Sequence, residues 1–119
     1  HTIELISETM QDVYAVADLV LARAGGGTIT ELAAHGKPAI IVPIPHSHQE
    51  QNAERLRRVH AAEVCVQSTL TPEWLVEQVR ELMQDGGRRD ALGVAIRSVN
   101  PSDALAKVLQ VIAETVQVK

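Results

Sequence analysis

The sequence predicts an α/β fold, a parallel sheet with helices on both faces, and three observations carry that expectation. Apolar residues come in short continuous runs, such as Leu19-Val20-Leu21 and Ala39-Ile40-Ile41-Val42, that do not alternate with polar ones. Strands apolar on both faces belong in a sheet covered on both sides, which is the habit of parallel sheets. Between the runs lie stretches with helical spacing, so strand and helix alternate as in βαβ units. Composition agrees: 45% of the 119 residues are hydrophobic but only 2% aromatic, so the core must be built from Val, Ile, Leu and Ala.

In chain order, the candidate strands are Thr2 to Ile6, Ala17 to Ala22, Ala39 to Ile44 and Ala62 to Val66. Short helical turns are expected around Asp12, a helix opening near Thr28, and another from Gln49 to Val59. The last third reads as helical. Thr71-Pro72-Glu73 is a helix start, with Thr as N-cap, Pro at the first helical position and Glu in the first turn. Leu75, Val79, Leu82 and Met83 then share a face, and Gly86-Gly87 is expected to end the element. A further helix is expected over Arg88 to Ser98. After the break at Asn100-Pro101-Ser102, a final helix carries the stripe Leu105, Val108, Leu109, Ile112 and Val116. No repeat or low-complexity linker interrupts this, so residues 1–119 read as a single unit.

Charge and composition exclude several functions. Lys+Arg number 11 against 15 Asp+Glu, a net charge of -4 that argues against a nucleic-acid binder. One Trp and one Tyr cannot form the stacking platforms of single-strand binders. The lone Cys65 rules out an internal disulfide and a cysteine-rich zinc site, and its place in a strand run suggests an inert buried thiol. No apolar run approaches the roughly 20 residues of a membrane span, and no signal-peptide pattern is read in the first residues.

The stretch Arg23-Ala24-Gly25-Gly26-Gly27-Thr28-Ile29-Thr30-Glu31 follows a buried strand and enters a helix. Consecutive glycines free the backbone for a tight turn and strip side chains from the helix start. Unpaired N–H groups and the positive end of the helix dipole then face a cleft, which is a natural anion site. Nucleotide phosphates are the usual occupant at the carboxyl ends of strands in open α/β sheets. The same residues admit a plainer reading. Gly-Gly-Gly is neither the Walker pattern nor G-x-G-x-x-G, Thr28 to Glu31 has capping-box spacing, and Arg23 suits a solvated or ion-paired role.

A second loop, Pro43-Ile44-Pro45-His46-Ser47-His48-Gln49-Glu50-Gln51-Asn52, leaves the next strand at the same end of the sheet. Its Gln and Asn side chains both donate and accept, which suits sugar hydroxyls. His46 and His48 have a spacing that could hold a metal with His35 or His60, but no carboxylate–histidine pattern completes a site. No serine lies in a G-x-S-x-G elbow, and no nucleophile–base–acid set is apparent.

Together the segments ADLVLARAGGGTITE (17–31), GKPAIIVPIP (36–45) and HQEQNA (48–53) resemble the donor-binding domain of MurG-type transferases. Met10 to Tyr14 and the stretch from Asn100 to the final helix fit the flanks of that resemblance. It implies a partial Rossmann-like C-terminal domain of a GT-B glycosyltransferase that moves N-acetylglucosamine from UDP-N-acetylglucosamine to a lipid-linked muramyl pentapeptide. By the resemblance, Glu31 binds the ribose hydroxyls, while Gly25, Gly26 and the N–H region of Thr28 face the diphosphate, with Arg23 beside them. Gln49 and His48 hold the sugar, and Asn52 supports that loop or touches the sugar. Backbone around Ile6, Ser7 and Glu8 meets the uracil edge. No metal or cofactor is implied, UDP-N-acetylglucosamine being a substrate.

The resemblance also implies an acceptor domain, peripheral membrane association and a place on the cytoplasmic face of the bacterial inner membrane. His1 stands where an initiator Met would, and the match covers under half of a full enzyme. The expectation is therefore the later part of a donor domain, inactive alone, with Thr2 to Ile6 as its third strand. Two other readings stand beside it: a short non-catalytic subunit that needs a separate acceptor subunit, and a piece of a UDP-sugar epimerase.

Overall fold

The computed structural model describes residues 10–99 and 104–117. Helix α1 (Met10–Val16) precedes strand β1 (Val20–Ala22), α2 (Gly26–His35), β2 (Ala39–Ile41), α3 (Gln49–Arg58) and β3 (Glu63–Val64). A 3-10 turn at Gln67–Thr69 leads to α4 (Pro72–Gln84), α5 (Gly86–Val99) and α6 (Ala104–Gln117). The sheet is parallel in the order β1-β2-β3, with Val20 beside Ala39, Ala22 beside Ile41 and Ile41 beside Val64. The alternating α/β plan is thus the one the sequence implies. The expected strand Thr2 to Ile6 lies outside the described residues.

The strands are shorter than their apolar runs, for local reasons. The Ala17 N–H turns back to the Val13 and Tyr14 carbonyls, which closes α1 and delays β1. Regular β2 stops at Ile41, and Pro43 and Pro45 just beyond it have no N–H to give a ladder. The Cys65 N–H still reaches the Ile41 carbonyl at 3.0 Å, so pairing outlasts the two regular residues of β3.

Strand residues point alternately to opposite faces, and β2 shows what each face meets. Ala39 and Ile41 join a cluster with Ile29, Leu32 and Ala33 of α2, Ala53 and Leu56 of α3, and Ile96 of α5. Ile40 joins Leu82 of α4 and Leu92 of α5, with Leu19, Trp74 and Leu75 against them. Helices therefore cover both faces, which is why β2 is apolar at every position. Fully burying one such side chain stabilises the fold by about 1.5–3 kcal/mol.

Three helical expectations change in detail. Thr71 caps α4 as read, its Oγ1 accepting from the Trp74 N–H at 3.1 Å. Of the expected face, however, Leu82 is buried while Val79 and Met83 are exposed. Gly86-Gly87 does not separate two helices but opens α5, because the Asp85 carboxylate accepts from the Arg88 N–H at 2.9 Å and starts the helix two residues early. In α6, Val108, Leu109, Ile112 and Val116 are each more than half exposed, so these four face outward rather than into the core.

Candidate functional site

Beyond Ala22 the chain runs extended through Gly25, the N-cap of α2 at φ -68° and ψ 146°, with no side-chain capping bond. The N–H groups of Gly26, Gly27 and Thr28 find no acceptor among the described residues. A methyl group at Gly26 or Gly27 would meet nothing within 4 Å. Packing does not require these glycines. They leave the positive end of α2 uncovered at the carboxyl end of the sheet.

The capping-box alternative fails here. Because α2 starts at Gly26, Thr28 sits inside the first turn, where its Oγ1 lies 3.9 Å from the position of a Gly25 methyl. Glu31 falls in the second turn, too far along to cap. Its Oε2 instead accepts from the Tyr14 hydroxyl at 2.9 Å.

Two amide side chains fasten the second loop to this corner. Gln49 Oε1 accepts from the Ala24 N–H at 3.2 Å and the Ile44 N–H at 3.1 Å. Asn52 Nδ2 donates to the Ala24 carbonyl at 2.9 Å. Gln49 Nε2 lies 3.7 Å from where a Gly25 methyl would be, so its donor end faces the glycines. The loop is also braced internally. Ser47 Oγ donates to the Ile44 carbonyl at 2.7 Å and accepts from the Gln49 N–H at 3.2 Å, while Glu50 Oε1 accepts from the His46 N–H at 3.2 Å. That bracing holds His46 at φ 57°, the left-handed region a non-glycine residue rarely occupies. His48 is the N-cap residue of α3 and its side chain is exposed beside the corner.

Arg23 does something the sequence did not reveal. Its Nη1 donates to Gln67 Oε1 at 2.7 Å and, more weakly, to the Val42 and Pro43 carbonyls at 3.3 and 3.4 Å. It ties the exits of β1 and β2 to the 3-10 turn, and it has no carboxylate partner among the described residues. Ser7, with Ile6 and Glu8, lies outside the described residues.

No spacing rule pairs Tyr14 with Glu31, so the sequence carries no sign of their contact. Burial, reinforced by the hydrogen bond to Glu31 and that residue's charge, pushes its phenol up to about 12, so it is a donor at neutral pH. Its ring stacks on His35 with centroids 5.1 Å apart, which engages one of the histidines whose spacing could suit a metal. Among the described residues no set of three His, Cys, Asp or Glu side chains comes together to hold a metal. Cys65 is buried.

Fold and site define a Rossmann-like α/β domain whose accessible corner is built from two strand-to-helix loops. The chain belongs to glycosyltransferase family 28: the family's C-terminal domain matches residues 2–108. It is similar to a UDP-N-acetylglucosamine–N-acetylmuramyl-(pentapeptide) pyrophosphoryl-undecaprenol N-acetylglucosamine transferase of Geobacter sulfurreducens. The two are 38% identical over 112 residues, covering 91% of this chain and 31% of that protein. A protein of the same name from Methylococcus capsulatus is 39% identical over 110 residues, 90% of this chain and 31% of its own length. The crystal structure of Acinetobacter baumannii MurG superposes with a TM-score of 0.77 at 35% identity, covering 92% of this chain and 32% of that one. The chain thus spans about a third of the length of the proteins it matches.

Proposed function

We propose that this chain forms the donor side of a transferase that takes N-acetylglucosamine from UDP-N-acetylglucosamine and attaches it to a lipid-linked muramyl pentapeptide. Its family membership supports this, as do relatives whose names state that reaction. One observation in the chain itself carries it: Gln49 and Asn52 lock the sugar-side loop against the open N-terminus of α2. That brings a helix end suited to a diphosphate and an amide suited to a hydroxyl into one corner.

In this reading the N–H groups of Gly25, Gly26 and Thr28 hold the diphosphate, and Glu31 accepts from the two ribose hydroxyls. Gln49 Nε2 and His48 hold the sugar, and Asn52 keeps the Ala24 carbonyl in place behind them. Arg23 acts as a brace beneath the corner rather than as a phosphate ligand. The uridine edge falls to Ser7 and its neighbours. As the sugar leaves, charge builds on the UDP oxygens, and pre-aligned N–H groups at a helix end stabilise that charge without reorganising. The reading assigns no role to a metal or cofactor.

An acceptor carrying a polyprenol chain resides in a membrane, so the reading places the parent enzyme at the membrane surface, on the cytoplasmic face of the inner membrane. Among the described residues no helix is long and apolar enough to cross it. Acceptor contacts lie with parts of the enzyme beyond the donor side.

A titration of the chain with UDP, UDP-N-acetylglucosamine and ADP, repeated for Glu31→Ala, tests the assignment. Preference for uridine nucleotides over ADP is expected, with UDP binding weakened by the substitution. Equal binding of ADP, or binding indifferent to Glu31→Ala, would overturn it.

A further inference from the structure

Tyr14 joins two helices at the point where the ribose would rest. It is the chain's one tyrosine, 4% exposed on α1, and it meets two residues one turn apart on α2. Its ring stacks on His35 at an interplanar angle of 19°, and its hydroxyl donates to Glu31 Oε2 at 2.9 Å. Residues four apart on a helix share a face, so one rigid side chain touches both. Helix α1 is itself fastened, because Lys37 Nζ donates to the Ala17 and Ala15 carbonyls at 3.0 and 3.3 Å.

Glu31 is otherwise exposed and has no other hydrogen bond among the described residues. A solvent-facing glutamate samples several rotamers. A buried, protonated phenol on one oxygen selects among them. A carboxylate offers about four lone-pair positions and the phenol takes one, leaving the rest for a diol.

We propose that Tyr14 is a positioning residue, holding the Glu31 carboxylate in the orientation that accepts from the vicinal hydroxyls of the nucleotide's ribose. The inference rests on the donor-site reading and deepens it: selection for a ribonucleotide is a joint property of Tyr14 and Glu31. Tyr14 need not touch the ligand. Fixing the carboxylate beforehand removes an ordering cost from binding, and the gain exists only when the ribose hydroxyls are present.

A purely structural tie between α1 and α2 would behave differently, affecting stability alike with every ligand and in every Glu31 background. The test follows amide chemical shifts of the 119-residue chain titrated with UDP and with 2′-deoxy-UDP. Wild type, Tyr14→Phe, Glu31→Ala and the double variant are compared, and the preference for UDP over its deoxy form is read. Tyr14→Phe is expected to lower that preference about three- to tenfold, chiefly through UDP, because the deoxy form keeps only the 3′ hydroxyl. In the Glu31→Ala background it should change nothing further. An unchanged preference in Tyr14→Phe, with a reduced one in Glu31→Ala, overturns the positioning role and leaves the donor site standing. An unchanged preference in Glu31→Ala overturns both, as does a chain that binds no UDP. Should Tyr14→Phe fail to fold, His35→Ala removes the stack and keeps the hydroxyl. It should lower the preference in the same direction, and no change there counts against the proposal.

Discussion

Gln49 Oε1 accepts from the Ala24 N–H at 3.2 Å, so the first residue of α3 fixes the backbone that enters α2. The same oxygen holds the Ile44 N–H, and Asn52 one turn on takes the Ala24 carbonyl. Ala24 itself is fully buried and has both its backbone polar groups satisfied by side chains of a different element. A loop pair that would otherwise need ordering at the moment of binding is pre-set.

Removing the Asn52 amide should therefore weaken fold and site together. Asn52→Leu leaves the buried Ala24 carbonyl without its donor, a cost of about 1–3 kcal/mol. Urea denaturation should show that loss. UDP-N-acetylglucosamine binding should fall too, even where the variant is fully folded. Asn52→Asp should be worse in both respects at neutral pH, since it sets a carboxylate against the carbonyl oxygen.

Gly93 should tolerate no side chain. A methyl carbon there would lie 2.5 Å from the Gly36 carbonyl oxygen, and Gly36 sits at φ 60° as the cap that ends α2. Ala gains about 1 kcal/mol over Gly in a helix interior, but a clash with fixed backbone outweighs it, by analogy with overpacked cores at about 1–3 kcal/mol. Gly93→Ala should lower the urea midpoint. Gly87→Ala, in the first turn of the same helix and meeting only Asp85 Oδ1 at 3.5 Å, should leave it unchanged or raise it.

Acid should act on α3. A hydrogen bond from Arg57, with further help from Arg57 and Arg58 charges, holds the Glu54 carboxyl down at about 2 against an ordinary 4.5. A depressed carboxylate contributes stability above the ordinary value and loses it as pH falls through the folded one. The window is therefore about pH 4.5 to 2. The pair is solvent-exposed, so the contribution is small and screened by salt. Carboxyl shifts in NMR should place Glu54 well below the ordinary glutamate value of 4.5 at low salt, and Glu54→Gln should flatten this part of the acid limb.

What the sequence made legible follows from what depends on local order. Parallel strands put their outgoing loops at one end of the sheet, so the meeting of Gly25 with Gln49 could be expected from the order of runs and turns alone. The Thr71 cap was legible because its partner, the Trp74 N–H, is three residues away. The contacts that escaped are those whose partners are set by packing: Tyr14 with Glu31 across 17 positions, and Arg23 with Gln67 across 44. Thr28 and Glu31 misled for a related reason. Their spacing fits a capping box, yet Gly25 is the N-cap residue, three positions earlier than that box would place it. At Gly86-Gly87 the misleading signal was composition, since glycine ends helices more often than it begins them, and the Asp85 side chain reverses that preference.

Gly26 offers the sharpest separation between a helix end that is merely open and one that receives a diphosphate. It is the first residue of α2, and a side chain there would project into empty space. Asp at a helix N-terminus interacts favourably with the dipole, by about 0.3–1 kcal/mol, and replacing Gly removes backbone freedom from the unfolded chain. Gly26→Asp should therefore leave thermal stability unchanged or slightly raised. The same carboxylate would occupy the place assigned to the diphosphate and repel it, lowering affinity for UDP and UDP-N-acetylglucosamine at least about tenfold, near 1.4 kcal/mol. Uridine, which carries no phosphate, should bind the variant and the wild type alike. Stability and affinity moving in opposite directions, with uridine unaffected, is the pattern only a phosphate site at this helix end produces. Equal UDP affinity in the variant would place the diphosphate elsewhere.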